Sequence, residues 1–213
     1  ATGLADILAR ATTATLTANG RTYDGTTAAT GTLSLNGVVA GDQVGAAGNL
    51  AFADKNAGSG KTVTASGIAL SGADAANYTV NATATGLADI LARAITATLT
   101  ANGKTYDGTT AATGSLSLGG VLAGDQVGVA GNLAFGNKNA GAGKAVTASG
   151  IALSGADAGN YTVNATATAL ADILARAIPG TAVADSRVYD GTVSATGRIT
   201  LSGVLAGDSV SAS

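Results

Sequence analysis

The chain has 213 residues, with 11 basic and 13 acidic side chains and a formal net charge of -2 at pH 7. It contains no His, Cys, Trp or Met, and all of its acidic residues are Asp. Without imidazole or thiol groups, a Ser–His relay, a thiolate nucleophile and a zinc site of Cys or His ligands are excluded. The near-neutral charge also disfavours nucleic acid as a partner. We therefore predict that the protein is not an enzyme and has no catalytic, cofactor-binding or metal-ligating residues and no cofactor.

An internal repeat of 83 residues organises the sequence. The motif Tyr-Asp-Gly begins at Tyr23, Tyr106 and Tyr189, and residues 11–93 align with residues 94–176 without gaps and with 12 differences. A period this long suits a small globular module better than a solenoid repeat. We predict the tail of a preceding repeat in residues 1–10, complete repeats in 11–93 and 94–176, and the first part of a further, diverged repeat in 177–213.

Alternation of apolar residues with Thr, Ser and Asn predicts β-strands within each repeat. In the first complete repeat the predicted strands cover residues 13–18, 31–36, 49–53, 62–66 and 78–85. Clusters of Gly, Asn, Asp and Ser between these runs predict turns. We therefore predict an all-β fold of small β-sandwich-like modules, immunoglobulin-like or β-grasp-like. Because no flexible spacer separates the repeats, we expect the modules to form an elongated rod or fibre.

Two places in the repeat interrupt the simple alternation. The apolar phase slips near Ser66-Gly67, which predicts a β-bulge with one extra residue. In the segment GLADILAR, residues 86–93, the apolar side chains have helical spacing, so a single helical turn is one interpretation. We favour a strand with a change of phase, because the first strand of the next repeat follows directly.

Three motifs recur in the same order in both complete repeats: TANGRTYDGTTAAT, VVAGDQV and FADKNAGSGKTVTASGIALSGADAANYTV, with few replacements in the second copy. They resemble the YDG-type tandem repeats of large bacterial surface adhesins, the filamentous-haemagglutinin-like, two-partner-secreted exoproteins. The resemblance returns in the last fragment through VYDGTVSATG and GVLAGDSV. It implies an extracellular stalk or adhesive array without an active site. The family often has Pro near the module junction, whereas ILARAI at residues 90–95 has none.

Several motifs invite a chemical interpretation, and for each we favour a structural one. Gly58–Thr62 reads GSGKT, but the second repeat has Ala145 in place of the Thr that a phosphate-binding loop needs, so a hairpin turn is favoured. The turn carboxylates are more typical of local turn caps than of calcium ligands, because calcium needs several carboxylates close together. These carboxylates belong to Asp24, Asp42, Asp54 and Asp74.

The recurring Tyr and Asn residues have structural interpretations as well. A buried Tyr can tie a loop to the backbone through its hydroxyl group, and we predict that role for Tyr23 and Tyr78. Four Asn residues begin glycosylation sequons, which Thr-rich strands also produce by chance. They are Asn77, Asn81, Asn160 and Asn164.

The functional prediction is a structural one. We expect stalk or fibre repeats of a secreted bacterial surface adhesin, extracellular or attached to the cell surface, with a role in adhesion, aggregation or biofilm matrix. The alternative is a carbohydrate- or surface-binding module that acts by avidity. Neighbouring repeats of the same chain are the predicted partners, with other copies in a fibre and cell-surface or matrix polysaccharide as further candidates. No apolar run is long enough to predict a membrane span in this segment.

The last fragment lacks most of a module. Residues 177–213 have no equivalents of the strands that contain Phe52, Val63 and Tyr78. We therefore expect the apolar residues of this fragment to be left uncovered, together with an unpaired strand edge. Those residues are Val193, Ile199, Leu201 and Val204.

Overall fold

The computed structural model describes residues 3–212, so part of the predicted tail at 1–10 lies outside the described residues. The chain is all-β, as predicted, and short 3-10 turns occur at Ala75–Asn77 and Ala158–Asn160. The first strands are β1 Arg10–Ala11, β2 Thr13–Asn19, β3 Arg21–Thr22, β4 Thr30–Asn36, β5 Gly45–Phe52, β6 Gly58–Ser71, β7 Tyr78–Thr79 and β8 Thr83–Leu91. The later strands are β9 Arg93–Asn102, β10 Lys104–Thr105, β11 Thr113–Gly119, β12 Gly128–Phe135, β13 Gly141–Ser154, β14 Tyr161–Val163, β15 Thr166–Leu174, β16 Gly180–Ala184 and β17 Gly197–Leu201.

These strands form two compact units whose limits differ from those of the sequence repeat. The first unit comprises residues 3–96, 120–128 and 153–163. The second comprises residues 97–119, 129–152 and 164–212. Two segments of the second sequence repeat therefore belong to the same compact unit as the first repeat. This offset determines which residues form the candidate site.

In the first unit, a four-stranded sheet has the order β3-β8-β6-β5, and β2 and β4 form a separate antiparallel pair. The two layers enclose the core. Ala14 and Leu16 of β2 are buried, as is Val63 of β6, while the intervening Thr residues of β2 face outward. A Cβ atom added to Gly86 of β8 would lie 3.3 Å from Cγ of Leu16. The alternating pattern thus places the small apolar side chains between two closely packed layers.

The predicted β-bulge is confirmed. Along the β5–β6 ladder, Ala47 is opposite Ala69 and Asn49 is opposite Ser66. One residue of β5 therefore faces two residues of β6, and the first of these is Gly67 with φ +60. A left-handed Gly is the residue that such a bulge favours. The bulge brings Ile68 to the buried face that Val63 and Ala65 already occupy.

The segment GLADILAR at residues 86–93 is extended, which confirms the favoured interpretation. β8 ends at Leu91 and β9 begins at Arg93. The predicted strand over residues 78–85 is wrong in one respect, because it is divided between two sheets. β7 pairs in parallel with β1, whereas β8 belongs to the four-stranded sheet.

The side chain of Asn81 explains the division. Its Oδ1 atom accepts a hydrogen bond from the backbone N–H of Ala14 at 2.7 Å. Its Nδ2 group donates to the carbonyl oxygen of the same residue at 3.2 Å. The side-chain amide therefore replaces a strand partner where the chain crosses between the sheets.

The second unit repeats this design. Its four-stranded sheet has the order β10-β15-β13-β12, and β9 pairs with β11. Leu99 of β9 packs in one core cluster with Phe135, Val146 and Ile173 of the four-stranded sheet. The antiparallel pair β16–β17 follows. Among residues 3–212 there is no helix whose length and apolar character would let it cross a membrane.

The prediction that the apolar residues of the last fragment are uncovered is confirmed for two of the four. Val193 and Ile199 are exposed, and Leu201 and Val204 are half-buried. Tyr189 of the third Tyr-Asp-Gly motif is also exposed. In contrast, Tyr23 of the first motif is completely buried.

Candidate functional site

The first Tyr-Asp-Gly motif is a tight turn that follows β3. The carboxylate of Asp24 accepts a hydrogen bond from the backbone N–H of Thr26 at 2.9 Å and pairs with Nη1 of Arg21 at 2.7 Å. The bond from Thr26 is the main cause that lowers the pKa of Asp24. Gly25 has φ +80, a left-handed conformation that favours glycine. The predicted turn cap at Asp24 is therefore confirmed, and the turn holds Tyr23 in position.

The buried Tyr23 belongs to a cluster within the first unit. Its hydroxyl group donates a hydrogen bond to Oδ2 of Asp125 at 2.8 Å. The hydroxyl group of Tyr161 donates to the same oxygen at 2.6 Å and accepts a bond from the backbone N–H of Leu122 at 3.0 Å. The two aromatic rings meet edge to face, with 5.5 Å between their centroids, which is a favourable geometry.

A lysine completes this arrangement. Nζ of Lys55 lies 3.3 Å from Oδ1 of Asp125 and 3.6 Å from Oδ1 of Asp157, and it sits 5.9 Å from the centroid of the Tyr23 ring. We call these five residues the first tyrosine cluster: Tyr23, Lys55, Asp125, Asp157 and Tyr161. The side chain of Asp125 is only 6% exposed, so the carboxylate is buried together with its donors, as a buried charge requires.

The electrostatics of the cluster reinforce its hydrogen bonds. Hydrogen bonds from Tyr161, with further bonds from Tyr23 and Lys55, lower the pKa of Asp125. Burial, together with the bond to Asp125, raises the pKa of Tyr23 and of Tyr161. Bonds to Tyr23 and Asp125 raise the pKa of Lys55 above its usual range. At neutral pH the carboxylate is therefore charged and both phenols keep the proton that they donate.

Backbone contacts support the same cluster. β14 pairs in parallel with the start of β9, with Tyr161 opposite Arg93. Oδ1 of the buried Asn160 accepts a hydrogen bond from the backbone N–H of Ala57 at 2.8 Å. A Cβ atom added to Gly25 would lie 3.4 Å from Cδ1 of Leu122. Side chains and backbone thus fasten segments 120–128 and 153–163 to the first repeat.

Sequence reasoning identified Tyr23 as a structural residue but not its partners in the first tyrosine cluster. The prediction that Tyr23 ties its loop to the backbone is wrong, because its hydroxyl group binds the carboxylate of Asp125. The hydroxyl group of Tyr78 does accept a bond from the backbone N–H of Val39 at 3.0 Å, and it also donates to Asp42. The predicted role of Asp42 as a local turn cap is wrong, because its carboxylate is the acceptor of that distant phenol.

The other two turn carboxylates also differ, since one caps its own turn and one binds a distant part of the chain. Asp54 caps its turn through the backbone N–H of Asn56 at 2.9 Å, as predicted. Asp74 instead accepts from the backbone N–H of Gln43 at 2.8 Å, from another part of the chain. Among residues 3–212, no group of three or more acidic side chains is arranged to hold a metal ion.

The GSGKT segment is structural in its contacts. The prediction that Gly58–Thr62 is a hairpin turn is wrong, because this segment forms the start of β6. The backbone N–H of Gly60 donates to Oδ1 of Asp89 at 2.7 Å, and Nζ of Lys61 pairs with Asp54. An N–H group bound to a carboxylate and a lysine paired with another carboxylate are not arranged for phosphate.

Three of the four sequon Asn side chains make hydrogen bonds within the fold. Asn81 binds the backbone of Ala14, and Asn164 makes the same two contacts with the backbone of Ala97 at 2.8 and 3.1 Å. Asn160 is buried. A glycan on any of these three amides would remove a hydrogen-bond donor of the fold, so their recurrence has a structural reason.

The second unit contains a related but smaller group. The hydroxyl group of Tyr106 donates to Oδ1 of Asp208 at 2.8 Å. Nζ of Lys138 lies 3.6 Å from the same oxygen and 6.0 Å from the centroid of the Tyr106 ring. We call Tyr106, Lys138 and Asp208 the second tyrosine cluster. Each member lies 83 residues after its counterpart in the first cluster.

Both clusters join segments that are far apart in the sequence. Comparison with curated proteins and comparison with solved structures gave no significant match. The family model of the YDG domain matches residues 8–86 and again residues 92–169. These two matches cover most of the 213 residues, and the chain therefore belongs to the YDG domain family, with two tandem copies of the domain.

Proposed function

We propose that this chain is a structural, non-catalytic part of a secreted bacterial surface adhesin, in which YDG repeats form a stalk or fibre. Its role is in cell adhesion, aggregation or biofilm matrix. The observation that carries the proposal is the first tyrosine cluster. It joins Tyr23 to Asp125, which lies 102 residues further along the chain and in the next sequence repeat.

Such a cluster suits a load-bearing repeat for a physical reason. Hydrogen bonds to a charged group are stronger than those between neutral groups, and the burial of Asp125 keeps water away from them. The parallel pairing of β14 with β9 adds backbone bonds to the same connection. Consecutive repeats are therefore held by specific contacts as well as by the covalent chain.

The aromatic residues give less support to the carbohydrate-binding alternative. Sugar sites usually present exposed aromatic rings, but Tyr23, Tyr78, Tyr161, Phe52 and Phe135 are all buried. Tyr106 is half-buried against Asp208. The exposed Tyr189 lies in the diverged last fragment and not in a complete repeat.

Single-molecule pulling on the 213-residue chain tests the mechanical role. We expect Tyr23→Phe to lower the unfolding force of the first unit, because Phe keeps the ring and loses only the bond to Asp125. Tyr189→Phe is the matched control, since Tyr189 is 91% exposed, and it should leave the force unchanged. Equal forces for the two variants would show that the cluster carries no load.

The cellular part of the proposal needs a separate measurement. In bacterial cells that produce the protein, an antibody raised against the repeats should label intact cells or their matrix without permeabilisation. Labelling only after permeabilisation would reject the extracellular location.

A further inference from the structure

We propose that the second unit carries a binding site for an extended peptide of sequence Asn-Tyr-Thr-Val, as a YDG repeat presents it. The site is a cavity of about 280 Å³ beside the second tyrosine cluster. Its lining includes Tyr106, Asn139, Arg176, Ile178, Leu205 and Asp208. The inference deepens the proposed function by naming what a tyrosine cluster binds.

The first unit shows such a site with its strand in place. The six residues that precede this lining by 83 positions are Tyr23, Asn56, Arg93, Ile95, Leu122 and Asp125. All of them contact or pair with the segment Asn160–Val163. Tyr161 stacks on Tyr23 and binds Asp125 and Leu122, Asn160 approaches Asn56 at 3.4 Å, and the backbone pairs with Arg93 through Ile95.

A second example of the bound strand occurs in the same unit. Tyr78–Thr79 pairs in parallel with Arg10–Ala11, and the backbone N–H of Thr12 donates to the carbonyl oxygen of Thr79 at 2.7 Å. The Tyr78 hydroxyl group donates to Asp42 and accepts from Val39, as Tyr161 does with Asp125 and Leu122. Two separate copies of this strand therefore bind through the same hydroxyl contacts and the same parallel pairing of the main chain.

The cavity of the second unit offers the matching groups. Asp208 receives one phenol where Asp125 receives two, and its side chain is 20% exposed against 6%. Ile178 is half-buried, whereas its counterpart Ile95 is buried. Pro179 lacks an N–H group, but it follows the residues that would pair, so parallel pairing along residues 176–178 is retained.

The groups in the cavity determine which peptide side chains would bind there. A phenol supplies the second donor to Asp208 and an edge-to-face contact with Tyr106. The preceding Asn accepts from the backbone at Ala140, the counterpart of Ala57, and an acidic residue three positions earlier reaches Lys138, as Asp157 reaches Lys55. The main chain adds a short parallel strand, which is a recognised mode of peptide binding.

Titration of the full 213-residue chain with a blocked synthetic peptide, the sequence of residues 157–165, tests this site by NMR. We expect saturable shifts of the backbone amides of Arg176, Ile178 and Leu205. A peptide with Phe in place of Tyr should bind roughly tenfold more weakly, because it loses a hydrogen bond to a charged group. In the chain, Asp208→Asn should weaken binding to a similar extent, and the exposed Asp185→Asn serves as the matched control.

Three results would overturn the inference: no saturable binding, equal binding of the Phe peptide, or shifts confined to residues away from the cavity. The pulling experiment tests Tyr23 in the first unit, and the titration tests the cavity of the second. A loss of force in Tyr23→Phe without peptide binding would therefore reject this inference and leave the mechanical role supported.

Discussion

The two tyrosine clusters contain the same Tyr, Lys and Asp, but the first also contains the second phenol of Tyr161. With it, Asp125 is almost completely buried and Tyr23 fully so. In the second cluster Asp208 receives the phenol of Tyr106 alone, and both side chains are partly exposed. The Tyr-Asp-Gly motif alone therefore does not create a buried site. Burial depends on a strand that arrives from a distant part of the chain.

The largest expected difference between the clusters concerns the tyrosine of the motif. Tyr23→Ala removes a fully buried aromatic ring and should lower the free energy of unfolding of the first unit by about 3–5 kcal/mol. Tyr106→Ala should lower that of the second unit by less, because Tyr106 is half-buried. Urea denaturation, monitored by hydrogen exchange, would measure the free energy of unfolding of each unit.

The matched control for these variants is Tyr189→Ala. Tyr189 is exposed, so its loss should change neither transition. If Tyr23→Ala and Tyr106→Ala proved equal in effect, burial would not be what distinguishes the clusters.

A smaller effect on stability is expected when the Asp at the centre of each cluster is replaced by Asn. Asp125→Asn keeps the shape of the side chain but loses the charge that accepts two phenols, and it should destabilise the first unit by about 1.5–3 kcal/mol. Asp208→Asn loses one phenol bond at a more exposed position and should have a smaller effect on the second unit. Thermal denaturation of the two variants would compare them. A larger effect for Asp208→Asn would contradict the role given to Tyr161.

The stability of the first unit should also depend on pH through this cluster. The pKa of Asp125 is lowered by folding, so its contribution is complete above roughly pH 4 and is lost as the pH falls through the folded value. The pKa values of Tyr23 and Tyr161 are raised, so their contribution is complete below roughly pH 10 and is lost as the pH rises through the folded values.

Melting temperatures measured at about ten pH values between roughly pH 2 and pH 11 would locate the acidic and the alkaline limit of stability. The Asp125→Asn variant separates this cluster from other carboxylates, because it should lose part of the fall in stability at acidic pH. An unchanged acid limb in that variant would assign the pH dependence to other residues.

The smallest expected effect belongs to the lysine. Lys55→Met keeps the aliphatic stem beside the Tyr23 ring and removes an ammonium group from a side chain that is 40% exposed. We expect only a small destabilisation, as for exposed ion pairs. Lys138→Met should behave alike, since its side chain is 46% exposed. Denaturation at low and high salt would measure both, and the difference from wild type should shrink as salt is added.

Sequence alone predicts the local features of the fold well and the long-range ones less well. Residues 3–10 and 86–93 have the same sequence, GLADILAR, yet only the second copy is a strand over most of its length. In that copy Ile90 is buried, whereas Ile7 of the first copy is exposed. The pattern alone does not supply the pairing partners, which for β8 are β3 and β6.

The first tyrosine cluster could not be predicted from the sequence, because its members are distant in the chain. The recurrence of the motif predicts a structural role for Tyr23, and the bulge at Gly67 follows from a local slip of phase. The partner of Tyr23 is 102 residues away, and no local pattern connects them. The available signal was that the Tyr-Asp-Gly and Ala-Gly-Asp motifs recur together in each copy.

The offset between the compact units and the sequence repeat has a consequence for how such genes change length. Each cluster takes its Tyr-Asp-Gly turn from one repeat and its Asp from the next. Unequal recombination that removes one complete repeat therefore leaves a Tyr-Asp-Gly turn and an acceptor Asp at the same spacing as before. Loss of residues 94–176 would bring Leu205 and Asp208 to the positions of Leu122 and Asp125. A Cβ atom added to Gly25 would lie 3.4 Å from Cδ1 of Leu122, and one added to Gly108 would lie 3.4 Å from Cδ1 of Leu205. Repeat number can therefore vary by recombination while the hydrogen bond between the Tyr of one repeat and the Asp of the next is rebuilt.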